Sequence, residues 1–544
     1  MNKKYIFTAV VALLSVSPIV AQETYENANI VTEDLNGTAR YVGMGGAMDA
    51  LGADISTISS NPAGIGLFRS SQITATGGIS VQGDAKDFAN ASKAHANFDQ
   101  LGFVWAKRTG QSSFFNFAFN YHKSRDFNYI LSAAQSNLSQ LASQNAQSYI
   151  KAVSDGETPE VTGFGIYKDH GNYYGDAYWT SQIDNLYYNT FILNNEEVYG
   201  YNLANGYAMN RSSKGYIGNF DFNISGNIND RVYLGLTVGI KDVNYRDYSE
   251  YTDYLVNVAG ASAGSVTVCD ERKIDGTGFD LKFGAIVRPV EDSPFRLGLS
   301  IATPTFYDLT TTNYTTLINN TDVRAYKPNY TASDSYDFRL NSPWKFGFSL
   351  GHTVANCLAI GVGYEYADYG ATSPRIKNGD YYDFYYETYY DDSYKDEAMK
   401  EHTEQTLKGV STFKLGFEFK PVPELALRAG YNYVSPMYKT DGFKESYLDS
   451  YGTNVSSTTD YTNWKSTNRL TLGVGFSSGK FFGDLAYQYS AQKGDFYPYM
   501  DSYVDERYYN NSGELVVDQI DNYATKTEVN NNRHQFMLTL GYRF

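Results

Sequence analysis

Two cysteines, Cys269 and Cys357, in 544 residues are too few for a disulfide framework. They fall near opposite ends of the topology set out below and are expected to stay unpaired. The six histidines, His95, His122, His170, His352, His402 and His534, show none of the spacings of a zinc site, so no metal is expected. Positive charge is in deficit: 44 Lys and Arg face 60 Asp and Glu, for a net charge of −16. A basic face that displaces counterions is therefore missing, and no nucleic-acid partner is expected. Long uncharged apolar runs are absent after the first 21 residues, and mean hydropathy is −0.43, which excludes a bundle of membrane helices. Proline is scarce, 13 residues against 48 glycines, which leaves long stretches open to regular pairing.

The opening residues read as a secretory signal. Lys3 and Lys4 precede an apolar run from Ile6 to Val16, and Ser17-Pro18-Ile19-Val20-Ala21 offers a cleavage site. Residues 1–21 are expected to be removed, with the mature chain beginning near Gln22 and no lipid-bearing cysteine after the run.

Aromatic residues are abundant: 51 Tyr and 32 Phe, which favour strands. Alternation of apolar and polar residues, the mark of a strand with two unlike faces, recurs down most of the chain. It predicts strands near 71–82, 100–108, 113–123, 215–227, 231–246, 273–288 and 294–307, and again near 337–352, 355–370, 408–420, 423–439, 464–478, 480–493 and 532–544. Connections alternate between tight turns, such as Thr109 to Ser112, Asn227 to Asp230 and Ser477 to Lys480, and long loops. The loops are placed at about 124–214, 247–272, 308–336, 371–407, 440–463 and 494–531. This sorting, with an even count of about fourteen strands, predicts an all-β fold: a transmembrane antiparallel β-barrel with both termini on the periplasmic side of a Gram-negative outer membrane. One face carries Phe115, Phe117 and Phe119, then Leu234, Leu236 and Val238, then Phe413, Leu415 and Phe417. The opposite face includes Lys414, Glu418, Arg428, Asp280 and Lys282, which requires a wet or ion-paired interior. Within the first long loop, residues 128–153 repeat Leu131, Leu138, Leu141 and Ala142 at helical spacing, predicting a helix over the barrel mouth. The loop from Tyr381 to Asp392 is aromatic and acidic; solvated faces, not calcium sites, are expected there. At the C-terminus, Leu540, Tyr542 and Phe544 alternate in a pattern that resembles the signal read by the barrel-assembly machinery.

Residues 22–70 do not alternate. Small residues dominate: Gly43-Met44-Gly45-Gly46-Ala47, Ala53-Asp54, then Asn61-Pro62-Ala63-Gly64. A barrel of about fourteen strands is too wide for its own side chains to fill, and a compact Gly and Ala segment suits a plug folded inside it. On these residues the chain resembles the FadL/TodX family of outer-membrane transporters for hydrophobic compounds. Gly37 and Arg40 stand ahead of Gly43, Gly45 and Gly46, Asp54 matches the acidic position, and Asn61, Pro62, Ala63 and Gly64 match the hatch signature. The resemblance implies a hatch at 22–70 and a barrel at 71–544. It also implies passive uptake of long-chain fatty acids or aromatic compounds, with lateral exit through the wall near Ser113 to Lys123. Expected partners are a hydrophobic small molecule, outer-membrane lipid and lipopolysaccharide, and the assembly machinery, with no cofactor. The alternatives are a FadL-like barrel that docks a secretion-system partner, and a haem-binding receptor suggested by Tyr and scattered His. An enzyme is not expected. Gly347-Phe348-Ser349-Leu350-Gly351 spells a nucleophile elbow but sits inside a strand pattern, and the Gly43 to Met48 run lacks the third glycine of a dinucleotide site.

Overall fold

Pattern along the strands, reversed from that of a soluble protein, determines the architecture. In the strand Gly409–Val422, Phe413, Leu415, Phe417 and Phe419 are 52, 38, 40 and 45% exposed, while Lys414 and Glu418 between them are 7 and 4% exposed. An oily outside and a charged inside are stable only where lipid surrounds the sheet and the backbone pairs with itself all the way round.

The computed structural model describes residues 23–544 apart from 154–165, 175–180, 193–198, 291, 322–328, 356, 387, 446, 447, 449, 506 and 510–514. The signal-sequence expectation therefore lies outside the described residues, and so do the side chains of most of the Tyr381 to Asp392 loop. Nineteen strand segments join into one antiparallel sheet that closes as a 14-stranded barrel. In chain order the strands are β1 Gln72–Gln82, β2 Ala94–Arg108, β3 Phe114–Asp126, β4 Leu203–Ile228, β5 Val232–Val256 and β6 Ser262–Val287. Then follow β7 Arg296–Ala302, β8 Lys345–Val354, β9 Leu358–Asp368, β10 Gly409–Val422, β11 Leu425–Val434, β12 Tyr461–Ser478, β13 Phe481–Tyr497 and β14 Thr527–Arg543. Closure is made by β1 on β14, in unbroken register from Gln72 opposite Arg543 to Gln82 opposite Arg533.

Several strands continue after a break. Phe306–Thr321 extends β7 beyond Pro304, and Asn329–Asn341 leads into β8 ahead of Pro343, each proline standing where a ladder donor is lost. Strand β3 resumes as Tyr129–Ser136, paired with Gly206 to Ser213 of β4. The helix expected over residues 128–153 is therefore a strand in its first part and begins only at Gln144. The free edge of β4 offers eight residues a pairing partner, and that outweighs a sparse helical repeat.

Strands β4, β5 and β6 are 26, 25 and 26 residues long. At roughly 3.4 Å per residue each measures about 85 Å, against an apolar band of about 25 Å in barrels of this kind. On β5 the outward residues are Leu234, Leu236 and Ile240 as far as the band reaches. Beyond Lys241 the pattern inverts: Asp242 faces out, and Val243, Tyr251 and Leu255 are buried inside. The solvent outside has changed from lipid to water while the strand runs on. Much of what the sequence assigns to loops near 203–214 and 247–272 is therefore barrel wall standing above the membrane.

Inside that raised wall sit two helices, α1 Gln144–Val153 and α2 Gln182–Phe191. Every residue of α1 is buried, among Val266, Val268 and Leu317 of the wall and Tyr187 and Phe191 of α2. A capping box of Ser181 and Asp184 starts α2, and Asp184 also receives Lys151 at 2.5 Å. The pair packs against the inner wall at the long-loop end of the barrel.

Candidate functional site

The N-terminal residues run down the lumen from the long-loop end towards the tight turns. The helix α3, Thr24–Val31, stacks Tyr25 on Tyr438 at 5.1 Å and sets the Thr24 hydroxyl 2.8 Å from His402 Nδ1. His402 belongs to the helix α4, Glu397–Thr406; its Nε2 lies 3.0 Å from the Phe443 carbonyl, and burial holds the ring below the ordinary His range. At the other end Asn61 caps a 3-10 turn, Pro62–Leu67, by accepting from the Ala63 amide. Thr38 and Ser56 fold back onto Asp54, whose carboxylate accepts from Thr38 at 2.8 and 2.9 Å. Arg40 donates to both oxygens of Glu418 on β10, at 2.9 and 3.1 Å, and to the Ala53 carbonyl at 2.9 Å. Glu418 also takes Arg428 of β11 at 2.7 Å, and Arg428 reaches Asp484 of β13 at 2.6 Å.

Between these anchors the segment lies directly on the wall, and at eight places the wall supplies a glycine. A Cβ on Gly473 of β12 would meet the wall-facing Gly43, and one on Gly430 of β11 would strike the backbone of Met44 and Gly45. Gly416 of β10 faces the Met44 carbonyl, Gly361 of β9 the Ala47 carbonyl, and Gly351 of β8 the Ala50 backbone. Gly298, Gly284 and Gly235, on β7, β6 and β5, face Asn61 and Pro62. Eight neighbouring strands thus each present one glycine to a chain wound round the inner wall, which lets backbone approach backbone without a side chain between. Gly45 and Gly46 have φ of +62° and +78°, turning the chain where it leaves β11.

The nine positions singled out at the N-terminus lie against the barrel wall or one another. Arg40 pairs with a wall glutamate, while Asp54 organises the turn beside it. The inward charges are ion-paired: Lys282 lies 3.0 Å from Asp221 and 2.9 Å from Asp280, beside Glu418 with its two arginines. Ser349, centre of the nucleophile-elbow spelling, is buried within the ladder of β8 on β7 and β9. Leu540 and Phe544 are exposed on the oily side at the end of β14. Cys269 and Cys357 are both free, one high on β6 and the other in the tight turn between β8 and β9.

Lined in part by the N-terminal segment, a cavity of about 400 Å³ lies in the lumen. Its lining is mixed. Ionisable groups from distant strands, such as Arg125, Arg211, Lys345 and Arg469, share it with Tyr25, Phe127, Tyr129, Met437, Tyr461 and Trp464. None of this cluster is visible locally in the sequence, because the registers that gather β3, β12 and β14 are set by closure.

Beside β3 the wall is irregular. The stretch from Phe114 to His122 is laddered on both sides, to β2 and to β4. Beyond His122 the strands part: β2 continues up to Ala94 paired with β1 alone, and β3 skips Ser124 against β4. Asn36 spans the parting, donating to Asp99 of β2 and to the Lys123 carbonyl of β3, both at 3.0 Å. Higher up, the Gln82 side chain bridges to the Ile130 backbone at 2.8 and 2.7 Å. A wall recess of about 310 Å³ lies there, lined by Gln82, His95, Tyr129, Ile130, Lys214 and Arg533. Tyr129 and Arg533 line both this recess and the central cavity.

No known family's pattern matches the chain, and no curated protein matches it. In fold it is similar to the solved toluene transporter TbuX of Ralstonia pickettii, with 12% identity, 94% of this chain and 99% of that one covered, and a TM-score of 0.45. A FadL homologue of Pseudomonas aeruginosa gives 12% identity, coverage of 94% and 99%, and a TM-score of 0.46. The CymD monoaromatic hydrocarbon channel gives 10%, 95% and 98%, and 0.45. Identity this low bears on fold alone, and superposition this loose leaves function to the chain's own residues.

Proposed function

We propose that the chain is an outer-membrane channel for passive uptake of hydrophobic small molecules, long-chain fatty acids or aromatic compounds among them. A molecule enters at the long-loop end, rests in the 400 Å³ cavity, and leaves sideways beside β3, where Tyr129 and Arg533 separate the cavity from the wall recess. Residues 22–70 act as the hatch and residues 71–544 as the barrel. Export rests on removal of residues 1–21, and insertion on the signal at Leu540, Tyr542 and Phe544. Lipid and lipopolysaccharide cover the apolar band.

The observation that carries this reading is a cavity inside the barrel, lined in part by an N-terminal segment that lies on wall glycines. An open pore for ions or sugars needs no such segment. A sideways exit suits an apolar cargo, because the sugars of the outer leaflet repel it while the bilayer interior beyond them is downhill. The parting of the strands above His122 supports an exit at Lys123 to Ile130, higher than the stretch the sequence suggests. Uptake of labelled long-chain fatty acid and of a labelled alkylbenzene is expected to fall several-fold when the gene is deleted and to return on complementation. Uptake of both unchanged by deletion would contradict the proposal.

A further inference from the structure

Charge at the tight-turn end of the barrel is sorted by arc. The turns 228–232, 288–295 and 420–425 carry both signs: Arg231 follows Asp230, Arg288 precedes Glu291 and Asp292, and Lys420 precedes Glu424. The turns 107–113 and 477–481 and the chain end 541–544 hold Lys107, Arg108, Lys480 and Arg543, and no Asp or Glu. These three segments are neighbours in space, because β13, β14, β1, β2 and β3 pair in that order across the closure. In a chain of net charge −16 this arc is positive, and only the terminal carboxylate of Phe544 offsets part of it.

The cations stand where the apolar band ends. Phe481, Tyr542, Ile73 and Phe103 form one outward row across β13, β14, β1 and β2, and Phe544 and Trp105 follow nearer the turns. Phe481, Phe544 and Trp105 are exposed, as the aromatic girdle of a membrane barrel is. Lys480 Nζ lies 5.8 Å from the Tyr542 ring, and the Arg543 guanidinium lies 4.5 Å from the Phe482 ring. The Arg543 amide donates to the Lys480 carbonyl at 2.8 Å, so both side chains leave adjoining backbone positions. Lys107 continues the outward series of Phe103 and Trp105. Arg108 donates to the Gly110 and Gln111 carbonyls of its own turn, and Arg69 is paired with Asp230. Lys107, Lys480 and Arg543, by contrast, have no carboxylate partner among the described residues. Basic side chains laid over girdle rings lift their charge to the level of the lipid headgroups.

We propose that Lys480 and Arg543, with Lys107 along the same arc, hold the phosphate of an anionic glycerophospholipid of the periplasmic leaflet, whose acyl chains lie on Phe481, Tyr542 and Phe544. A guanidinium and an ammonium side by side match a phosphodiester, and the rings beneath them match its chains. The occupant belongs to the periplasmic leaflet because the arc lies at the tight-turn end, away from the long loops. The site is on the outer surface of the barrel and is independent of the uptake reading.

The test is native mass spectrometry of the full-length barrel in a non-ionic detergent, with phosphatidylglycerol and phosphatidylcholine of identical acyl chains offered at equal concentration. Phosphatidylglycerol adducts are expected in at least about fivefold excess, an excess that shrinks as the concentration of ammonium acetate is raised. K480Q/R543Q brings the two lipids to near equality, and K480R/R543K keeps most of the excess. K480Q alone, which leaves the chain end unaltered, lowers it in part, and K420Q/E424Q on the charge-balanced arc leaves it unchanged. Retained heat-resistant migration on a gel shows that each variant is folded. Equal adducts of both lipids in the unaltered protein, or an excess that survives both K480Q and K480Q/R543Q, overturn the inference.

Discussion

Valine at Gly361 and Gly430 together is expected to drive the N-terminal segment off the wall. At Gly361 the added carbon collides with the Ala47 carbonyl oxygen, and at Gly430 with the amide of Gly45 and the carbonyl carbon of Met44. These obstacles are backbone, held on either side by other wall contacts, so no side chain can rotate out of the way. Overpacking costs about 1–3 kcal/mol at each site, and the two sites share one short stretch of segment, so the penalties fall on the same contacts. The barrel ladder is untouched, because both glycines point inward and keep their strand pairing. Limited proteolysis of the folded barrel should then cut within residues 23–70, where the unaltered protein is resistant, and cells should become sensitive to bulky antibiotics. Continued protection in the double variant would mean that the glycines do not seat the segment.

Glu418→Leu should produce the largest loss of stability among single substitutions in the lumen. The carboxylate is 4% exposed and is shared by Arg40 from the N-terminal segment and Arg428 from the wall, at 2.9 and 2.7 Å. Leucine leaves both guanidinium groups in the lumen without their shared partner, with Asp484 paired to Arg428 and only longer-range attraction from Asp54 and Asp484 on Arg40. Removing one member of a buried pair costs about 3–5 kcal/mol, and here the glutamate serves two partners. The expected readout is a marked fall in the temperature at which the barrel loses its compact gel migration, with partial recovery in R40L/E418L. An unchanged transition would show that water, not Glu418, compensates the arginines.

Much of the barrel is legible in the chain because lipid imposes a simple rule. Phe413, Leu415, Phe417 and Phe419 at alternate positions, with Lys414 and Glu418 between them, leave no other stable arrangement. The rule fails where the solvent changes. On β5 it holds from Leu234 to Ile240 and inverts at Asp242, and a reading tuned to one sense of alternation ends the strand early. Residues 129–136 failed for another reason: their partner is the distant edge of β4, and pairing across some eighty residues leaves no local trace. At the N-terminus, Asn61, Pro62 and the glycines of the segment were visible as a compact motif. The glycines of the wall that receive them are scattered singly along eight strands and carry no motif of their own. Arg125, Arg469 and Arg533 were hidden likewise. Alternation places each inward, but only closure of β14 on β1 gathers β3, β12 and β14 around one cavity.

The central claim is that the cavity in the lumen is where cargo rests between the long loops and the wall beside β3. A crystal of the full-length barrel soaked with 4-(4-bromobutyl)benzoate, with diffraction recorded at the bromine edge, tests it most directly. The account predicts one bromine site inside the barrel, within the aromatic part of the cavity near Tyr129 and Trp464. Bromine found only on the lipid-facing surface, with the cavity free of ligand at saturation, would contradict it.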